Sequence, residues 1–316
     1  MAPNARAQKV HDDLFPGYVS TLAVTDPELI EFFDNFAFDE VLRESSLDVR
    51  TRLMVQLASM IASQALREYR VMAGAALIAG VTPVEIKEIV YQAVPYVGMA
   101  KVYDFLHATN ELLQERGVQL PLPAQATTTP ETRAEKGLAI QTQLVGEEGM
   151  QKRLTSTPAD QRHIDRFLAA NCFGDHVSRG GIDLPTRELL TFSMLISLGG
   201  CEPQAKGHVA ANLRVGNTRA TLIDVVTQLL PFIGYPRTLN ALRAIDEIVH
   251  LRLTRQEERR NSHEPFHPNR PSRRRYRQHR APRCRGCTGA GIHRSRAGPR
   301  VRESKAVSPR GAAICG

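Results

Sequence analysis

Two segments of this chain, Gln92-Ala-Val-Pro95-Tyr96-Val97-Gly98 and Gln228-Leu-Leu-Pro231-Phe232-Ile233-Gly234, carry one pattern, Gln-x-x-Pro-aromatic-aliphatic-Gly, at an offset of 136 residues. Leu77 and Leu213, Gly80 and Gly216, and Thr82 and Thr218 keep that offset. Upstream it becomes 135, pairing Phe38 with Phe173, Asp48 with Asp183 and Arg52 with Arg187, so one residue was gained or lost between Arg52 and Gly80. Self-similarity at a fixed period means that one supersecondary unit is built twice.

Both copies read as helices. Asp26-Pro27-Glu28 provides an N-cap, a proline at the first helical position and an acid in the first turn, opening a helix through about Leu42. Arg52, Leu53, Val55, Leu57, Met60 and Ile61 mark a second from Leu47, and a third runs to Ala79, where Gly80 ends it. Val81-Thr-Pro-Val-Glu85 caps a fourth with Ile86, Ile89, Val90, Ala93 and Val94 on one face. Pro95-Tyr-Val-Gly98 breaks that run, and Met99 to Arg116 makes a fifth. The later half predicts helices over about 131 to 145, 160 to 174, 185 to 199, 202 to 215, 218 to 231 and 235 to 252. No stretch sustains period-two alternation, so the expected class is all-α. The expected divisions are an N-terminal arm (1–26) with a short helical turn, a first repeat (27–117), a Pro-, Thr- and Gln-rich linker (118–130), a second repeat (131–252) and a disordered Arg-rich tail (253–316).

Charge separates the tail from the rest. Residues 251–316 hold 18 Lys or Arg against 4 Glu, so the overall +8 leaves 1–250 at −6. The folded part therefore gives no sign of nucleic-acid binding. The tail could bind nucleic acid or an anionic surface, but 17 of its 18 basic residues are Arg, which also fits a shifted reading frame in a GC-rich gene. No basic, then apolar, leader opens the chain and no apolar run is long enough to cross a bilayer, so a soluble cytoplasmic protein without membrane partners is expected. Five cysteines (172, 201, 284, 287 and 315) show no disulfide framework, and Cys284-Arg-Gly-Cys287 is half a zinc knuckle without its second half. Neither a metal nor a cofactor is expected.

The best candidate for chemistry is Leu198-Gly-Gly-Cys-Glu-Pro-Gln-Ala-Lys-Gly-His208. Pro203 near its start and Gly216 at its end frame one helix, which places Cys201 at the positive end, where a thiolate is favoured. His208, seven residues on, returns to the same face roughly 10 Å along the axis. Gln204, four residues before His208, has the spacing to hydrogen-bond the imidazole. The first copy has Ala65, Glu68 and Met72 at the matching positions, so one half is expected to do the chemistry and the other to support it. A packing cysteine and a satisfied histidine are the plainer alternative.

Arg187-Glu-Leu-Leu-Thr-Phe-Ser-Met-Leu-Ile-Ser-Leu-Gly-Gly200, His208-Val-Ala-Ala-Asn-Leu-Arg-Val-Gly216, Gln228 to Gly234 and Leu239-Asn-Ala-Leu242 resemble the carboxymuconolactone decarboxylase family, which includes the alkylhydroperoxidase D-like proteins. Lys136-Gly-Leu-Ala to Gly146-Glu-Glu is similar to that family's lead-in segment, and the first half to a second, degenerate copy. The resemblance implies two tandem alkylhydroperoxidase D-like helical bundles with pockets between copies, a small-molecule substrate and a homo-oligomer, since single-repeat members form trimers or hexamers. It makes His208 the active-site histidine and puts Glu188 at or next to the active-site glutamate. Cys201 matches the first cysteine of the Cys-x-x-Cys of peroxidase-type members, but Gln204 stands in the second place and only Cys172 is left to resolve a disulfide. The implied activity is decarboxylation of a small carboxylated lactone or related acid, with His208, Cys201 and Glu188 catalytic, Gln204 contacting substrate, and Arg187 either holding a substrate carboxylate or making a helix salt bridge. Two alternatives stand beside it: a thiol-dependent peroxidase or disulfide reductase working through Cys201, and a non-catalytic helical binding protein.

Overall fold

The computed structural model describes residues 3–262, with side chains as far as Thr254, and every regular element among them is helical. In order these are α1 (Ala5–Leu14), α2 (Leu22–Thr25), α3 (Pro27–Asn35), α4 (Val41–Arg43), α5 (Val49–Ala62), α6 (Leu66–Ile78), α7 (Pro83–Val97), α8 (Met99–Glu115), α9 (Arg133–Val145), α10 (Glu147–Ser156), α11 (Arg162–Phe167), α12 (Leu184–Leu198), α13 (Glu202–Arg214) and α14 (Arg219–Ser262). None of these helices is long and apolar enough to cross a membrane.

The start signals in the sequence act as expected. Asp48 and Asp183, paired by the repeat, cap α5 and α12 by accepting from first-turn backbone N–H groups. Thr82 and Glu85 form a reciprocal capping box on α7. Both copies also leave α geometry at one matched place: π-helical turns span Phe36–Glu40 and Leu168–Val177, around the paired Phe38 and Phe173. Such wide turns give no hydrophobic signature of their own, and the sequence reads each as plain helix.

Four other features depart from the reading above. The expected arm contains a full helix, α1, capped by Asn4 and anchored in the core by Ala7, Leu14 and Phe15. Helix α10 was not anticipated, because it is polar and buries only Met150. Pro95 and Pro231 lie inside helices, and the breaks come three residues later at Gly98 and Gly234, whose φ values of 91° and 74° suit glycine. The final helix runs on to Ser262, past the expected limit of 252, and the rest of the tail lies outside the described residues.

The two copies share one core. Buried side chains of α5, α6 and α7 and of α12, α13 and α14 form a single apolar cluster. The equivalent helices α5 and α12 pack on each other, and the buried Ser59 and Ser197 hydroxyls meet at 2.7 Å between them. The linker runs along the second copy, with Gln125, Thr127 and Thr128 bonded to Gly180, Ser178 and Gly174. Helix α9 lies so close to the second π-helical turn that a Cβ on Gly137 would stand 1.9 Å from the Ala169 carbonyl oxygen, and one on Gly174 would stand 2.2 Å from that of Arg133.

Candidate active site

Helices α12 and α13 bring Glu188 and His208 together. His208 Nδ1 lies 2.8 Å from Glu188 Oε2, with the carboxylate fully buried and the imidazole 18% exposed. Asn212, one turn beyond His208, fixes this geometry by donating to the backbone oxygens of both Glu188 (3.0 Å) and His208 (2.8 Å). With Nδ1 engaged by Glu188, Nε2 is the ring nitrogen left free of the carboxylate. Among the described residues Nε2 makes no hydrogen bond within the protein.

A third partner comes from the other copy. Tyr96, in the Gln-x-x-Pro-aromatic segment of α7, packs edge-to-face on His208 with ring centroids 5.8 Å apart. Its hydroxyl is buried without a hydrogen-bond partner, as is Glu188 Oε1. Burial, then the neighbouring Cys172 and Glu188, push the phenol well above its usual range, so it stays a neutral donor. Burial also pushes the Cys172 thiol up to about 11, with Glu188 adding to the effect. Neither Tyr96 nor Cys172 was singled out as a site residue. The repeated aromatic marks Tyr96 as a fixed structural position, but its own copy lacks the histidine it serves.

The remaining expected site residues lie elsewhere. Arg187 is fully buried: Nη1 donates to Gln92 (2.9 Å), Nη2 donates to Glu88 (3.0 Å) and to the carbonyls of Arg179 (3.0 Å) and Gly180 (2.8 Å), and Nε is left without a partner. Glu88 is claimed by Arg179 as well, and Gln92 returns bonds to the Arg187 carbonyl and the Thr191 hydroxyl. Arg187 is thus a tie between α12 and α7, with four of its contacts made inside the protein and only the buried Nε unpaired. Of its two sequence-level roles, the salt bridge is the one it fills. Gln204 is exposed, and Glu188 rather than Gln204 holds the imidazole.

Cys201 is also corrected. It stands at the N-cap of α13, but its thiol turns back to donate to the Leu195 carbonyl of α12 (3.1 Å) instead of meeting the helix N–H groups. Burial, and to a lesser degree Glu202, raise its pKa, the reverse of the expected thiolate. It lines a cavity of about 30 Å³ with Leu195, Arg237, Ala241 and Ala244, and His208 is not part of that lining. Cys172 and Cys201 are both free thiols and pack into different apolar clusters. A peroxidase needs a low-pKa thiolate and a nearby resolving partner, and neither thiol meets that need.

Fold and site together define a tandem all-helical protein in which only the later copy holds a His–Glu pair and the earlier copy lends it an aromatic wall. The family model described as carboxymuconolactone decarboxylase family matches residues 27–111 and 163–247. The chain belongs to that family. It is 25% identical over 118 residues, 37% of its length, to the 4-carboxymuconolactone decarboxylase of Acinetobacter baylyi, of which 87% is covered. A crystal structure from Burkholderia xenovorans, named for a gamma-carboxymuconolactone decarboxylase subunit, aligns with 80% of this chain and all of its own at 19% identity and a TM-score of 0.45.

Proposed function

We propose that the chain is a decarboxylase of small carboxylated lactones, working at His208. The observation that carries this reading is the 2.8 Å contact of His208 with the buried Glu188, in the copy that keeps both residues. Loss of carbon dioxide leaves an electron pair on the former carboxyl-bearing carbon, delocalised into the lactone carbonyl. His208, as the imidazolium, delivers the Nε2 proton to that carbon, and Glu188 stabilises the cation before transfer and orients the ring throughout. Tyr96 holds the imidazole plane from the side. Gln204, exposed one turn before His208, is the polar group placed to meet substrate. Cys201 has a packing role.

The same reading includes self-association. Exposed apolar pairs recur at the repeat offset: Leu29 and Phe32 on α3 match Ile164 and Phe167 on α11, and Met99 and Tyr103 on α8 match Tyr235 and Leu239 on α14. Large apolar side chains left in water at equivalent places of both copies favour a surface used twice, once by each half, in an assembly of identical chains.

Carbon dioxide release from 4-carboxymuconolactone tests the chemistry. His208→Ala should lower kcat/KM by at least about 100-fold and Glu188→Gln by about 10- to 100-fold. Tyr96→Leu should cost about 3- to 10-fold, whereas Tyr96→Phe, which keeps the ring, and Cys201→Ser should leave the rate unchanged. Undiminished turnover by His208→Ala, or no turnover of any carboxylated lactone by the parent protein, would end this reading.

A further inference from the structure

We propose that an aromatic cavity in the first copy is a binding site for a small organic cation, an aryl- or alkylammonium. A cavity of about 420 Å³ opens where α1, α3, α5 and α6 meet the Pro231-Phe232 segment of α14. By the repeat, its Ala65 and Glu68 match Cys201 and Gln204 and its Phe232 matches Tyr96, while Met72, which matches His208, is not in the lining. Its volume falls in the range of small-molecule pockets.

The lining has two components. Phe15, Phe33, Phe38 and Phe232 supply aromatic surface, with Phe15 and Phe38 buried and Tyr18 exposed at the rim. Asp34 and Glu68 set two carboxyl groups into that wall, and no Lys or Arg shares the lining. Asp34 is half-buried and Glu68 exposed at the mouth; partial desolvation pushes both carboxyl groups up, Asp34 adds to the effect on Glu68, and His11 acts against it on Asp34. Two like-signed groups at an apolar recess whose one basic side chain is His11 are best satisfied by a cation that arrives from outside. Aromatic faces attract the same species through their quadrupoles, most strongly when it is desolvated, as a substituted ammonium is. A carboxylate ligand meets the wrong charge here, so this cavity and the His208 site select opposite classes of molecule. The inference does not depend on the chemistry proposed at His208.

Titration calorimetry of the full chain with benzyltrimethylammonium, benzyl alcohol and benzoate tests it. Saturable binding of the ammonium, at least about 10-fold weaker binding of the alcohol, and none of benzoate are expected. The double variant Asp34→Asn, Glu68→Gln should lose at least about 10-fold in ammonium affinity while binding benzyl alcohol as the parent does. Equal affinity for ammonium and alcohol would mean a plain apolar pocket and overturn the proposal. So would failure of the parent protein to bind the ammonium, or full retention of ammonium binding by the double variant.

Discussion

A buried thiol records the environment of the His208 site in a form that can be titrated. Cys172 is raised to about 11 chiefly by burial, while in the unfolded chain it ionises near the ordinary value of about 8.5. Below that ordinary value the difference has no effect. As pH rises through the window up to about 11, the unfolded state sheds its proton first, and stability is lost. The full shift corresponds to about 2–3 kcal/mol at the alkaline end. Cys172→Ala should therefore flatten part of the fall in denaturant midpoint between pH 8 and pH 10.5, and an unchanged slope would show that the thiol is not buried as described. At this scale the sequence points to His208 and Glu188 through segments of strong family resemblance, and the structure brings the two side chains into contact. Cys201 was misread because a position at a helix start does not say which way a side chain turns. Arg187 was left ambiguous because its partners, Glu88 and Gln92, lie about a hundred residues away.

Periodicity, caps and glycines revealed most of the elements, and Gly80, Gly98, Gly216 and Gly234 all take the positive φ their positions imply. What it could not reveal are segments without an apolar stripe, such as α10, and turns whose hydrogen bonds widen without a change in composition, such as the two π-helical ones. Gly137 shows a third kind of blindness: within a helical pattern it reads as a mild liability, but it is the point where α9 meets backbone. Since its Cβ would meet the Ala169 oxygen at 1.9 Å, Gly137→Ala must push α9 off the turn that carries Cys172 and Phe173. The expected cost is about 3 kcal/mol or more, visible as a lower denaturant midpoint. Gly207→Ala, where nothing lies within 4 Å, should be neutral or stabilise α13 by up to about 1 kcal/mol. Equal effects of the two substitutions would refute the close packing.

Across the whole molecule the tandem architecture was legible from the offset alone, but the degree of fusion was not, since a repeat does not reveal whether its copies form two cores or one. The exposed pairs on α3 and α11 make the quaternary prediction. Phe32 and Phe167, 65% and 61% exposed, should tolerate Phe32→Glu and Phe167→Glu in the monomer fold while light scattering shows a smaller species than the parent's. A parent protein that is monomeric at micromolar concentration would dismiss the assembly. Within one chain, Tyr96 of the earlier half sits against His208, and Phe232 of the later half walls the cavity of the earlier one. That exchange has a hereditary consequence: the gene cannot be trimmed to either half without removing an aromatic from the other, and recombination that grafts one half from a cousin delivers an aromatic fitted to someone else's cavity. Drift at these two aromatic positions in either half is thereby constrained by the other half.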